Sequence, residues 1–235
     1  MSDRVPSPLA AVFFDAGETL LAPYPSFEGR FVEVAAAAGL PLAEARVEAA
    51  LAASLRRAAW PTDWGDAATQ RRFWQGLYAD VLADLDYGGD RATLAGEMFA
   101  VFSDPAAYKL FEDVRPALRA LAGRGLKLGV ISNFEPWLER VLELEGVRDC
   151  FAALAISGVL GVAKPAPGIF RAALHAAGVP AQACLHVGDS PGADVAGARA
   201  VGMVPVLIDR HARWPEADGL RVETLAELVE LVEGD

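Results

Sequence analysis

Beyond residue 113 the chain alternates between two periods, and this alternation restricts its possible folds more than any other feature. Short apolar runs at Leu126 to Ile131, Ala152 to Ile156, Cys184 to Val187 and Val204 to Ile208 are separated by stretches of helical period at Pro136 to Leu144, Gly168 to Ala177 and Asp194 to Ala200. Runs that are apolar at nearly every position suit strands buried on both faces, and strand–helix–strand succession joins parallel strands by right-handed crossovers. An earlier run, Ala11 to Phe14, supplies one more strand. The expected fold is α/β, a Rossmann-like doubly wound parallel sheet with helices on both faces.

The segment between the first run and the second has no strand-like alternation. Phe27, Phe31, Val34, Ala35 and Ala38 share a helical face, as do Val47, Leu51 and Leu55, and then Phe73, Leu77, Val81 and Leu85. An inserted all-helical domain is therefore expected over 23–103, with the core formed by 1–22 and 104–235. Its hinges are the Pro-containing stretches Ala22 to Pro25 and Ser103 to Tyr108. Val222 to Val232, with Leu225, Leu228, Val229 and Val232 on one face, reads as a last helix covering the sheet.

Charge narrows the partners. The chain carries 21 basic against 32 acidic residues, a net charge of -11, which disfavours nucleic acid and anionic membranes. A small anionic substrate stays accessible where a metal and a lysine dominate the local field. Cys150 and Cys184 are too far apart for a redox or zinc pair and are expected to be buried thiols. No leader pattern or membrane-length apolar stretch is seen, so a cytoplasmic protein, monomer or homodimer, is expected.

In an open parallel sheet ligands bind beyond the carboxyl ends of the strands, and four segments deliver polar residues there. Asp15 ends the first run, Ser132 and Asn133 end the second, Lys164 lies after the third, and Gly188-Asp189-Ser190 ends the fourth. A carboxylate such as Asp15 can attack an electrophile covalently. Lys164 offers a fixed positive charge, Ser132 and Asn133 offer donors, and Asp15, Asp189 and Asp194 are hard oxygen ligands of the type magnesium prefers. Each has an ordinary alternative: a strand-end carboxylate, a surface lysine, a turn signal, or, for Asp194, a helix cap.

Taken together, Asp15-Ala-Gly-Glu-Thr19, Val130-Ile-Ser132-Asn133, Lys164-Pro165-Ala-Pro167 and Val187-Gly-Asp189-Ser-Pro-Gly-Ala-Asp194 resemble the four motifs of the haloacid dehalogenase-like (HAD) hydrolase superfamily. The insertion after the first motif is similar to the cap of the branch that includes haloacid dehalogenases and phosphoglycolate phosphatase. The resemblance implies hydrolysis of a small phosphorylated substrate through an aspartyl-phosphate on Asp15, with Mg²⁺. It implies that Ser132 binds the phosphoryl group, that Lys164 stabilises it and holds Asp15, and that Asn133 helps to position both and to bind substrate. The metal would take Asp15, the backbone carbonyl of Gly17 and Asp189, with Asp194 further out.

One position departs from that pattern. Where phosphatases of the family carry a second Asp that protonates the leaving group and activates water, this chain has Gly17. General acid/base help of this kind contributes roughly 10²–10⁴-fold, so turnover is expected to be slow. Glu18 is a candidate substitute, but in an extended segment it would point away from Asp15. Thr19 is expected to hydrogen-bond within the loop and hold Asp15.

A glycine here also fits haloacid dehalogenation, in which a halide leaves without a proton. The intact Gly188-Asp189-Ser190 motif does not fit it, nor does Phe170 in place of an aromatic hydroxyl; Arg30 is the one candidate halide-side cation. A third reading is a phosphate- or metabolite-binding protein without turnover. In the insertion, Tyr24, Phe27, Trp60, Trp64, Arg71, Arg72 and Trp74 are candidate pocket residues, with packing and solvated charge as the ordinary alternative. His186, inside an apolar run, reads as a hydrogen-bonded core histidine, and neither His175 nor His211 belongs to a zinc pattern.

Overall fold

The computed structural model describes residues 4–59, 61 and 66–234. Among them are the strands β1 (Ala11–Phe14), β2 (Leu21–Pro23), β3 (Tyr108–Leu110), β4 (Lys127–Ser132), β5 (Ala153–Ile156), β6 (Cys184–Gly188), β7 (Val204–Ile208) and β8 (Leu220–Val222). The helices are α1 (Phe27–Ala37), α2 (Glu44–Arg57), α3 (Ala67–Asp84), α4 (Arg91–Phe102), α5 (Val114–Gly123), α6 (Leu138–Leu144), α7 (Ser157–Leu160), α8 (Pro167–Ala177), α9 (Ala196–Val201) and α10 (Leu225–Glu233). They form two compact units, 1–21 with 110–235, and 22–109. The chain rejoins the first unit at Leu110, and the short strands β2 and β3 pair with each other where it leaves and rejoins.

In the first unit six parallel strands run in the order β5-β4-β1-β6-β7-β8. The fold is the α/β, Rossmann-like one. Chain order runs outward from β1 to β4 and β5, then returns to the other side of β1 for β6, β7 and β8. The strand order therefore reverses beside β1, where such sheets open a crevice at their carboxyl edge. Phe14 is in register with both Val130 and Val187, so β1, β4 and β6 run side by side to their carboxyl ends, β4 reaching two residues further and β6 one.

All four residues of β1 are buried, as a central strand covered on both faces requires. On one face Ala11, Phe13 and Ile131 pack with Ile169, Phe170 and Ala173 of α8 and Ala198 of α9. Gly129 is needed opposite Phe13, since a Cβ there would lie 2.5 Å from the Phe13 ring. Helix α8 has the start and stop its sequence encodes: Pro167 in its first turn, and Gly178 at φ 63° after its end.

The three-residue strand β8 was not anticipated, because Leu220–Val222 is too short for a periodic signal and is defined by pairing with β7. Val222 accordingly belongs to this strand, and the last helix begins at Leu225, where Thr224 caps it by accepting from Glu227 N.

The second unit has a core of its own, built from Phe31, Ala35, Val47, Val81, Leu82 and Met98 of α1 to α4. Phe27 stacks on Phe102 with ring centroids 4.4 Å apart, and Trp74 stacks on Tyr78 at 6.1 Å. These two aromatics are therefore packing residues. Arg71 lies over the Phe99 ring, Arg72 pairs with Asp66, and Arg30 pairs with Glu33 at 3.2 Å. Tyr24 is exposed, and Trp60 and Trp64 fall outside the described residues. Cys184 is buried as expected, and burial pushes its thiol up to about 11. Cys150 is exposed, contrary to expectation, because it closes a short 3₁₀ turn ahead of β5 instead of lying in a strand. No described helix is long and apolar enough to cross a membrane.

Candidate active site

The carboxyl ends of β1, β4 and β6, with the loop after β5, bring Asp15, Ser132, Lys164, Asp189 and Asp194 to one place. Asp15 follows the last residue of β1, and its N–H still donates to Val187 O at 2.8 Å, so the ladder itself fixes it. Lys164 Nζ donates to Asp15 Oδ1 at 2.7 Å and to Asp194 Oδ1 at 2.6 Å. Ser132, buried at the end of β4, hydrogen-bonds the Asp15 carboxylate with its hydroxyl. One oxygen from each of Asp15, Asp189 and Asp194 lies within 4.8 Å of the others.

Asn133, expected to help position its neighbours and to bind substrate, engages the backbone of Lys164. Its carbonyl accepts from Lys164 N at 2.7 Å and its amide donates to Lys164 O at 3.0 Å. A side-chain amide used on both sides in this way clamps the backbone that carries the lysine, and so positions Lys164.

Asp194 is set by a single π-helical turn, Pro191–Val195, a geometry that recurs at functional sites. Its Oδ2 accepts from Ser190 N at 3.0 Å, while Oδ1 takes Lys164 and also His186 Nε2 at 2.8 Å. His186 is fully buried, edge-on to Phe170, as a core histidine tied by a hydrogen bond. Gly188 leaves the room: a Cβ there would meet Asp194 Cγ at 2.2 Å. Gly188→Ala is accordingly expected to displace Asp194, lowering stability by about 1–3 kcal/mol in thermal unfolding and reducing any turnover along with it. At Gly17, by contrast, a Cβ would have nothing within 4 Å.

The electrostatics are unbalanced. Burial opposes the charge on Lys164, but Asp15 and Asp194 outweigh it and push the ammonium up to about 12. Burial likewise disfavours ionised Asp194, yet Lys164 and His186 together hold its carboxyl well below the usual range. For Asp189, burial with the nearby Asp15 and Asp194 charges outweighs the more distant pull of Lys164 and raises it far above an ordinary carboxylate. Burial also raises Asp15, against the pull of Lys164. Three carboxylates thus share one ammonium, which is the donor set and charge deficit a hard divalent cation would satisfy.

The first-motif loop is a turn and not an extended segment. Thr19 N, Leu20 N and Leu21 N converge on Ala16 O at 3.3, 2.8 and 3.0 Å, and Glu18 sits at φ 56°. Glu18 therefore does not follow strand alternation, and its Oε2 meets His211 Nε2 at 3.0 Å. The Thr19 hydroxyl, expected to brace the loop, has no hydrogen-bond partner among the described residues. Its backbone carbonyl does the bracing, accepting from Arg210 Nη2 at 2.9 Å while Arg210 also pairs with Asp113 at 2.9 Å. Neither Arg210 nor His211 carried a sequence signal beyond a basic cluster after a strand.

Residues 9–202 match the family described as haloacid dehalogenase-like hydrolase. The chain is 31% identical over 208 residues to haloacid dehalogenase-like hydrolase domain-containing protein 3 of Danio rerio, covering 86% of each, whereas its match to the same protein of Bos taurus spans 58% of that protein's length. It is 35% identical over 192 residues to a phosphoserine phosphatase of Thermus thermophilus, covering 80% of this chain and 76% of the relative. In structure it resembles the Bacillus subtilis HAD-hydrolase YfnB, solved bound to magnesium, with a TM-score of 0.73 over 95% of this chain and 98% of that one at 18% identity. The chain belongs to the haloacid dehalogenase-like hydrolase family.

Proposed function

We propose that this protein hydrolyses a small phosphorylated compound by way of an aspartyl-phosphate on Asp15, and that it works with Mg²⁺. The observation that carries the reading is the Lys164 ammonium shared between Asp15 and Asp194 while Asp189 stands close by with no ion pair of its own among the described residues. Asp15, Asp189 and the backbone carbonyl of Gly17 would hold the ion, with Asp194 behind them through Lys164. When bound, it supplies positive charge against the non-bridging phosphoryl oxygens.

Asp15 attacks phosphorus with its free carboxylate oxygen, and the ester P–O bond breaks with its electron pair going to the leaving oxygen. Water then adds to the same phosphorus, and the Asp15–phosphorus bond breaks to regenerate the carboxylate. Lys164 holds Asp15 by one oxygen and opposes the charge that builds on the phosphoryl group. Ser132 orients the nucleophile. Attack on a carbon–halogen bond, which Gly17 alone would permit, leaves the charge deficit around Asp189 unexplained. The helical unit 22–109 is assigned the choice of substrate, and the Thermus thermophilus relative makes phosphoserine a substrate to assay first.

The test is release of phosphate from phosphoserine, acetyl phosphate and nitrophenyl phosphate with and without Mg²⁺, beside chloride release from 2-chloropropionate. Mg²⁺-dependent phosphate release is expected; metal-independent chloride release would sink the proposal. A second expectation concerns stability. Because the raised Asp189 carboxyl stabilises the fold only while protonated, the metal-free protein loses that contribution as pH rises above the ordinary carboxylate range. Mg²⁺ at ten times its Kd should restore about 1.4 kcal/mol, seen as a rise in Tm of roughly 3–5 °C. In Asp189→Asn the metal-free Tm at pH 7 should rise and the Mg²⁺ shift should vanish.

A further inference from the structure

Proton transfer remains unassigned in this mechanism, since Gly17 has no side chain to perform it. Glu18, Asp189 and His211 line one cleft of the first unit. Glu18 lies near enough to Asp189 for its charge to disfavour ionisation there. Its carboxylate is 3.0 Å from His211 Nε2, with both side chains partly exposed at 32% and 48%. His211 is thus half-exposed beside the cleft, and its Nδ1 makes no hydrogen bond among the described residues.

Both partners stand on pinned backbone. Glu18 N donates to Leu21 O at 2.9 Å and Glu18 holds a left-handed conformation at φ 56°. His211 sits between Arg210, tied to Thr19 O and Asp113, and Ala212, at φ 51°. Beyond them the buried Asp209 accepts from Arg213 N at 2.7 Å and Trp214 N at 2.9 Å. Left-handed conformations cost a non-glycine residue about 1–2 kcal/mol. Two of the three such residues described flank this one contact, and strain of that kind gathers where surrounding structure fixes a functional geometry.

We propose that His211, oriented by Glu18, is the general acid and base of the reaction proposed above, replacing the carboxylate missing at Gly17. The proposal rests on that phosphohydrolase reading. Glu18 accepts the Nε2–H and so fixes the ring's orientation, as a carboxylate does for a catalytic histidine elsewhere. Nδ1–H gives its proton to the ester oxygen as the P–O bond breaks, leaving neutral imidazole. Nδ1 then takes a proton from the water whose oxygen attacks the aspartyl-phosphate, and the bond to Asp15 returns its electron pair to the carboxylate. The imidazolium is restored, and phosphate and alcohol are the products.

The experiment compares kcat/KM for phenyl phosphate, a poor leaving group, with that for nitrophenyl phosphate, which leaves with little need of a proton. His211→Gln should lower the phenyl phosphate value by ~10²-fold or more while changing the nitrophenyl phosphate value only a few-fold, and Glu18→Gln should show the same bias more weakly. Because Gly17 has room for a side chain, Gly17→Asp in the His211→Gln background should restore phenyl phosphate turnover. If Asp15→Asn is inactive but His211→Gln handles both substrates as the native protein does, this inference falls and the phosphohydrolase reading stands. If the native protein hydrolyses neither substrate, both fall.

Discussion

Replacing Asp15 by Asn should abolish turnover, with kcat lower by at least ~10⁴-fold, the scale on which loss of an attacking group is felt, while the fold survives. The amide has the same shape and can still accept from Lys164 Nζ and Ser132, so the contacts that seat residue 15 persist. What is lost is the anionic oxygen that forms the bond to phosphorus. Burial already raises the Asp15 carboxyl toward its neutral form, so the native site gains little stability from its ionisation. The Tm of the metal-free variant should accordingly lie within a few degrees of the native value. An inactive variant that is also unfolded at room temperature would contradict this assignment of Asp15 to chemistry.

Lys164→Met should cost both activity and stability. Methionine matches the length of the buried stem but leaves Asp15 and Asp194 facing each other without the ammonium that joins them at 2.7 and 2.6 Å. Removing one member of a buried ion pair typically costs about 3–5 kcal/mol, since the surviving charge stays desolvated. Here two carboxylates survive, and they can relax only by taking up protons. The sign follows: Asp194, now held low chiefly by Lys164, should rise, and the variant should recover stability as pH falls toward the carboxylate range. Urea unfolding at pH 7 and pH 5 measures this, and a variant equally stable at both would show that Lys164 does not hold the carboxylates.

The sheet was legible because β1 and β7 are unbroken apolar runs ended by Asp15 and Asp209, and buried parallel strands have few other ways to be written. The carboxyl-edge placement of Ser132, Lys164 and Asp189 followed from the succession of strands, whereas Asp194 was tied to them by ligand chemistry and the family motif. What stayed hidden depends on contacts with no local period. Strands β2, β3 and β8 are three residues each and exist through pairing. The clamp of Asn133 on the Lys164 backbone joins residues 31 apart. Glu18 and His211 meet across 193 positions, through a left-handed turn that strand alternation could not anticipate. The glycine at 17 was visible at once, but the Glu18–His211 pair proposed to replace its missing function needed the loop after β7 to be placed beside the loop after β1.

The central claim, that Asp15 bonds to phosphorus and that water then attacks the same phosphorus, is tested most directly by a single turnover in heavy-oxygen water followed by mass spectrometry of phosphate and of the Asp15 peptide. The account expects heavy oxygen in the phosphate and none in Asp15, together with a phosphoryl mass added to the Asp15 peptide when the turnover is quenched early; no such adduct would mean that water attacked the substrate directly and would contradict the claim. Heavy oxygen in the Asp15 carboxylate would mean that water attacked the carbonyl of an ester on Asp15, the course taken when the first attack is on carbon, and would contradict it.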